Sequence, residues 1–263
     1  MMLLSGLFFS QLSAGELSIE EEMTNKINFL GKENSFAYID LRLTNTELDL
    51  IDQLTFSKIP AGASVQYDRF GELDLLEEEL SNFIKSIGNE NIDVILTVAE
   101  VISRTTQQMV NASNKDSAWV CVRASTPTNE YDIPRWHMDG AYYGLNDPYP
   151  YPGLVFKFAA TLKGNSTLLY NLPYEQRDIF KVHWNDRTFL NNLLDLNKAE
   201  SPNRGEGVFF VVANDKVAAI HSEPQIRENR LFFSILLGDK SEIEELYFRW
   251  HPNDYKNITA EKP

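Results

Sequence analysis

Two residues in the middle of the chain have the right types and spacing for metal chemistry. The run Arg135-Trp136-His137-Met138-Asp139 sets an imidazole and a carboxylate two positions apart. In a β-strand alternate side chains share a face, so a strand over 133–139 projects His137 and Asp139 together, with Trp136 and Met138 opposite. An imidazole and a carboxylate on one face can reach a single cation. His221, at the end of a later strand-like run, adds a second imidazole. Two histidines and one carboxylate leave three coordination positions open on iron(II). A cosubstrate and dioxygen can then meet on the same metal.

A possible anion site follows His221. In Arg230-Leu-Phe-Phe-Ser234-Ile-Leu-Leu, the side chains of Arg230, Phe232 and Ser234 lie on one strand face. A guanidinium with a nearby hydroxyl suits a carboxylate, which Arg binds bidentately. Arg227 competes for that role. Lys157 and Thr161 share a strand face with Val155, Ala159 and Lys163, and hold an anionic ligand if that face is interior. Trp136 is expected in the core, His183 and His251 at structural or exposed positions, and Cys121 as a small buried hydrophobe. Tyr142, Tyr143 and Tyr149, in a Pro- and Gly-rich loop after Asp139, are candidates to touch substrate.

The order His-x-Asp, then His, then Arg on the next strand resembles the iron(II)/2-oxoglutarate-dependent dioxygenase superfamily. Three stretches are also similar to an uncharacterised bacterial family of oxygenase-like proteins. They are Arg135-Trp-His-Met-Asp139, Thr161-Leu-Lys-Gly-Asn-Ser-Thr-Leu-Leu-Tyr170, and Ala219-Ile-His-Ser-Glu-Pro224 with the Arg-Glu-Asn-Arg-Leu-Phe-Phe-Ser that follows. The likeness spans roughly residues 115–240. It implies His137, Asp139 and His221 as ligands of Fe(II), and Arg230 as the partner of the distal carboxylate of 2-oxoglutarate. It also implies a double-stranded β-helix, the jelly-roll or cupin-like core. Relative to that pattern the His221–Arg230 spacing is short, and the hydroxyl of Ser234 comes four residues after the arginine rather than two. Members of such folds include metalloproteins of the cupin type that need no 2-oxoglutarate, and non-catalytic interaction proteins.

The elements that must position these residues are legible as a change of periodicity. Ser18 with Glu21 and Thr44 with Glu47 read as capping boxes, and Gly31 closes the first helix. A short strand is expected at 36–41. Leu73, Leu76, Leu80, Phe83 and Ile87 repeat at helical spacing before Gly88, as do Ile92, Ile95, Val98, Ile102 and Met109. Glu77-Glu78-Glu79 reads as the solvated face of its helix. From about 115 the chain turns to β-branched and aromatic runs, with strands expected at 118–124, 133–139, 153–162, 166–170, 207–213, 216–221 and 230–237. Asn214-Asp215 reads as a hairpin turn, and 174–196 as a helical insert. The expected class is α+β: a mainly helical extension over 1–114, a β-helix domain over 115–250, and a tail over 251–263.

Composition narrows the chemistry further. Over 263 residues the net charge is −14 and the pI about 4.7, so nucleic acid is disfavoured as a partner. Small molecules, peptides and lipids stay open as substrates. One cysteine excludes an intrachain disulfide and favours a reducing compartment. Residues 1–15 are apolar, yet no Lys or Arg precedes Lys26 and the run is too short to span a bilayer. A cytoplasmic protein without a transmembrane segment is expected, with a cleaved signal peptide as the other reading. No HExxH, Walker loop, Gly-x-Ser-x-Gly elbow or CxxC pair is present.

Overall fold

A computed structural model describes residues 17–31, 34–140, 155–214 and 216–251. The expected tyrosines 142, 143 and 149, the run 1–15 and Asp215 lie outside them.

Helices open where side chains can satisfy the first free N–H groups. Ser18 and Glu21 form a reciprocal capping box on α1 (Ile19–Phe29), and Thr44 and Glu47 do the same on α2 (Asn45–Asp52). Two longer helices follow, α3 (Leu76–Ser86) and α4 (Ile92–Ser113). No helix among the described residues is long and apolar enough to cross a membrane.

The strands are β1 (Phe36–Asp40), β2 (Ser64–Gly71), β3 (Ser117–Ser125), β4 (Val155–Lys163), β5 (Leu168–Tyr170), β6 (Glu206–Val212), β7 (Ile220–Ser222) and β8 (Arg230–Gly238). Six of them form one antiparallel sheet in the order β1-β6-β4-β8-β3-β2, while β5 and β7 pair separately. Among the described residues the large sheet is open, with β1 and β2 at its edges, and not a closed barrel. The helical first third of the chain therefore supplies both edge strands.

Strict alternation divides the large sheet into two faces. Val120, Val122, Phe158, Phe209, Phe233 and Ile235 pack under the helices in the main core. Their neighbours Trp119, Cys121, Ala159, Phe210, Phe232 and Leu236 face the other way, into a second core that includes Leu169 of β5. That second face carries Lys157, Thr161, Arg230 and Ser234. Gly207 on β6 shows how tight the helix side is. A Cβ there would lie 2.1 Å from the ring of Phe158, which is fully buried. Gly207→Ala is therefore expected to destabilise by about 1–3 kcal/mol through overpacking. Urea unfolding should show a lower midpoint at an unchanged m-value.

Three expectations need correction. Residues 133–139 are not a strand: Pro134 has no N–H to donate, the Arg135 N–H goes to the Ser222 hydroxyl, and only His137 forms a bridge, with His221. Asn214 does turn the chain, accepting from Lys216, Val217 and Ala218 N–H groups. However, β6 and β7 belong to different sheets, so the turn crosses between sheets and closes no hairpin. Lys163 leaves the face of Lys157 because β4 bulges between Thr161 and Lys163, and its ammonium caps the carbonyls of Asp52 and Leu54. The stretch read as a helical insert at 174–196 is helical, as two short helices, α5 (Arg177–Val182) and α6 (Arg187–Leu193), flanked by single 3-10 turns. A last helix, α7 (Lys240–Trp250), lies in a stretch of the expected β-helix domain to which no element was assigned.

Candidate metal centre

His137 and His221 are locked together by their own backbones. Each donates its N–H to the other's carbonyl at 2.9 Å, and the two rings sit 4.2 Å apart. Asp139 follows two residues later, its carbonyl taking the Ala213 N–H at 2.7 Å. Trp136 points away into a cluster with Tyr170, Phe180 and Leu190, which anchors the segment from behind. The side chains meet from two elements: β7 contributes His221, and an extended stretch pinned to it contributes the other two. One donor atom from each of the three lies within 4.8 Å of the others.

The remaining polar atoms of this trio are already spoken for. His137 Nδ1 lies 2.8 Å from the Arg135 carbonyl, and His221 Nδ1 lies 3.2 Å from the Ala219 carbonyl. A carbonyl only accepts, so each Nδ1 carries the proton and each Nε2 offers a lone pair. Asp139 Oδ2 takes a hydrogen bond from Lys157 Nζ at 2.8 Å. Asp139 Oδ1 then faces His137 Nε2 at 3.6 Å and His221 Nε2 at 3.5 Å. Three acceptors converge with no proton left to share between them. A small cation resolves that arrangement, and the donor set is the one iron(II) takes in open sites.

The electrostatics agree with ligands kept ready in the right form. Burial would raise the Asp139 carboxyl, but Lys157 and then the two histidines outweigh it and hold it well below the usual range. Burial, followed by the neighbouring His221, pushes His137 down to about 4, so its imidazole is neutral at neutral pH. Its side chain keeps 29% of its surface open, toward a cavity.

That cavity has a volume of about 360 Å³ and reaches from the trio to Arg230. Arg230 is 2% exposed, and burial lowers its guanidinium to about 10. Nε donates to the Asn165 carbonyl at 2.9 Å, and Nη2 lies 3.3 and 3.4 Å from the hydroxyls of Thr161 and Thr167. The group also lies 4.7 Å from the Phe232 ring centre. Gly164 allows this: at φ +85° it passes so near Asn229 and Arg230 that a Cβ would be 2.8 Å from a backbone oxygen. Among the described residues no carboxylate lies within ion-pair distance of Arg230, a costly state for a buried cation unless a ligand completes it.

The structure thus brings His137, Asp139, His221, Lys157, Arg230 and Ser234 to one cavity. Lys157 acts on Asp139 and does not wait for an anion alone. Thr161 reaches the cavity's arginine, whereas Ser234 lines the wall without bonding to it. Arg227 is elsewhere, 54% exposed and paired with Asp132 and Asn129. Cys121 lines the same wall, but burial and then Asp68 push its thiol up to about 12, so it is no nucleophile. His183 stacks on Phe189, and His251 on Tyr247 at the cavity rim. Sequence reasoning missed Thr167, Arg123, Arg135 and Glu223. The last two were within reach, since each sits two residues from a proposed ligand and so shares its side of an extended chain.

No family model matches the chain, and no curated protein matches it. Solved structures do resemble it in outline. JOX2 in complex with 2-oxoglutarate, iron and JA is 10% identical, with 86% of this chain and 72% of that one covered and a TM-score of 0.45. A Pseudomonas putida prolyl-4-hydroxylase is 10% identical, with 84% and 100% covered and a TM-score of 0.42. The viral collagen prolyl hydroxylase of Paramecium Bursaria Chlorella virus-1 is 14% identical, with 79% and 90% covered and a TM-score of 0.39. All three TM-scores lie below 0.5, so the site has to be read from its own side chains.

Proposed function

We propose that this chain is an iron(II)- and 2-oxoglutarate-dependent oxygenase on a double-stranded β-helix scaffold. One observation carries the reading: three converging acceptor atoms and a buried guanidinium with no carboxylate partner among the described residues share one cavity. Bound iron(II) and 2-oxoglutarate supply a two-electron oxidation of a C–H bond by dioxygen, with 2-oxoglutarate decarboxylated to succinate.

The residues of the chain have separate tasks. His137 Nε2, His221 Nε2 and Asp139 Oδ1 would hold the metal, and three ligands of this kind suit a site with open positions. Lys157 engages the other carboxylate oxygen, which favours one-oxygen binding by Asp139 and keeps a further position vacant. Arg230, with the hydroxyls of Thr161 and Thr167 beside it, takes the distal carboxylate and so aims the oxo-acid end at the metal. Phe210, packed 4.9 Å from the His221 ring, and Phe232 keep water away from the site.

Iron-loaded protein is expected to turn 2-oxoglutarate into succinate and CO2 in air, slowly without the primary substrate and faster with it. A protein that binds one metal per chain but does not bind 2-oxoglutarate would contradict the reading, and would point to a metalloprotein of the cupin type.

A further inference from the structure

The cavity wall carries four cationic side chains, Arg123, Arg135, Lys157 and Arg230, against three carboxylates, Asp68, Asp139 and Glu223. A divalent metal and a dianionic cosubstrate would cancel each other. One positive charge then remains in a pocket of a chain whose net charge is −14. A local field opposite in sign to the whole molecule selects what enters.

Two of these cations are matched incompletely by ion pairs. Lys157 is matched by Asp139 at 2.8 Å, and Arg230 is taken by the cosubstrate. Arg123 and Arg135 share a single carboxylate: Glu223 Oε1 lies 2.6 Å from Arg135 Nη2 and 3.5 Å from Arg123 Nη1. Asp68 counts in that balance but pairs with neither arginine among the described residues; its oxygens receive the Trp119 indole N–H at 2.9 Å and the Gln66 amide at 2.6 Å. Arg123 otherwise donates only to the Gln66 side-chain oxygen, a neutral acceptor. The Nε and Nη1 groups of Arg135 have no acceptor among the described residues.

Arg135 and its acid Glu223 lie next to the proposed ligands in sequence, while Arg123 comes from β3. Arg135 precedes His137 by two residues, and Glu223 follows His221 by two. Farther along the same strands, Phe70 of β2 stacks on Trp119 of β3 at 5.0 Å, nearly parallel. An anionic head and an apolar body are thus provided for separately within one cavity.

Resting on the oxygenase reading for where oxidation takes place, we infer that the primary substrate is a small monoanionic carboxylate. Arg123 and Arg135 read its carboxylate, and Phe70 and Trp119 receive its apolar body. Two arginines against one shared acid leave guanidinium edges of the shape that a carboxylate fits. Both arginines engage Glu223 Oε1, while its buried Oε2 has no partner among the described residues.

The test is calorimetry on full-length protein loaded with zinc(II), which is redox-inert, and with saturating 2-oxoglutarate to fill Arg230. Acetate, hexanoate and 3-phenylpropanoate are compared with their primary amides and with 3-phenylpropylammonium. At least one carboxylate is expected to bind ten or more times as tightly as its amide, which is about 1.4 kcal/mol, and the ammonium to bind worst. Arg123→Gln with Arg135→Gln should abolish that preference. Because this variant strands Glu223, a second one adds Glu223→Gln, and it should fold and show the same loss. Equal binding of acid and amide, tighter ammonium binding, or no carboxylate binding at millimolar concentration would overturn the inference. So would acid binding that survives both variants and is displaced by more 2-oxoglutarate, since the acid would then sit at Arg230. Failure of 2-oxoglutarate to bind sinks the oxygenase reading instead, and the acid–amide comparison on zinc-loaded protein alone still decides the anion preference.

Discussion

His137→Ala is expected to remove tight metal binding while leaving the fold intact. The variant deletes one of three converging donors, so its loss of affinity should exceed the roughly 10–100-fold that follows removal of a residue merely supporting a ligand. The side chain is partly open to the cavity, and its backbone bridge to His221 does not need the imidazole. Unfolding should therefore be little changed without metal. Asp139→Ala gives an instructive contrast. It also removes a donor, but it leaves Lys157 buried without its carboxylate, a loss of about 3–5 kcal/mol for a broken buried pair. Metal titration alongside thermal unfolding separates the two effects. Equal metal affinity in wild type and His137→Ala would show that the trio is only a hydrogen-bonded cluster.

Arg230→Met should act on the cosubstrate and not on the metal. Truncating one partner of a buried, hydrogen-bonded charge pair typically costs about 2–5 kcal/mol, so the Kd for 2-oxoglutarate should rise roughly 30-fold or more. Metal affinity should stay as it was. A control makes the assignment specific: 2-oxobutyrate lacks the distal carboxylate and should bind wild type and variant alike. The ligand-free variant should be as stable as wild type or more so, because the native guanidinium is buried with only neutral acceptors around it. The wild type should in turn gain more from added 2-oxoglutarate in a thermal shift than the variant does. An unchanged Kd would remove Arg230 from the site.

Some of this was written plainly in the sequence. The capping boxes at Ser18 and Thr44 are local, so the helices after them could be read directly. The shared face of Arg230, Phe232 and Ser234 follows from period-two alternation, and the structure has all three on the cavity wall. His137 and Asp139 do come together, but by another route than expected. A proline forbids the strand, and the His137–His221 bridge holds the extended segment in its place. Other elements left signals that went unread. In β2, Gln66, Asp68 and Phe70 alternate with Val65 and Tyr67, a half-buried edge strand inside a stretch that looked helical. In α7, Asp239 and Glu242 make a capping box ahead of Ile243, Leu246 and Trp250 at helical spacing. Thr161 was a candidate from its strand face, but Thr167 was out of reach, because it lies 63 residues from Arg230 and only tertiary packing brings the two together. The sharing of Glu223 by two arginines is likewise a property of the fold, joining β3, β7 and the segment before His137.

The claim on which everything else depends is that one cavity holds the metal and 2-oxoglutarate together. Anaerobic addition of iron(II) and then 2-oxoglutarate to metal-free protein tests it most directly, with the visible metal-to-ligand charge-transfer band as the readout. A band that needs both additions, is absent in His137→Ala and is weakened in Arg230→Met is the predicted result. Iron bound at one per chain with no band at saturating 2-oxoglutarate would contradict it.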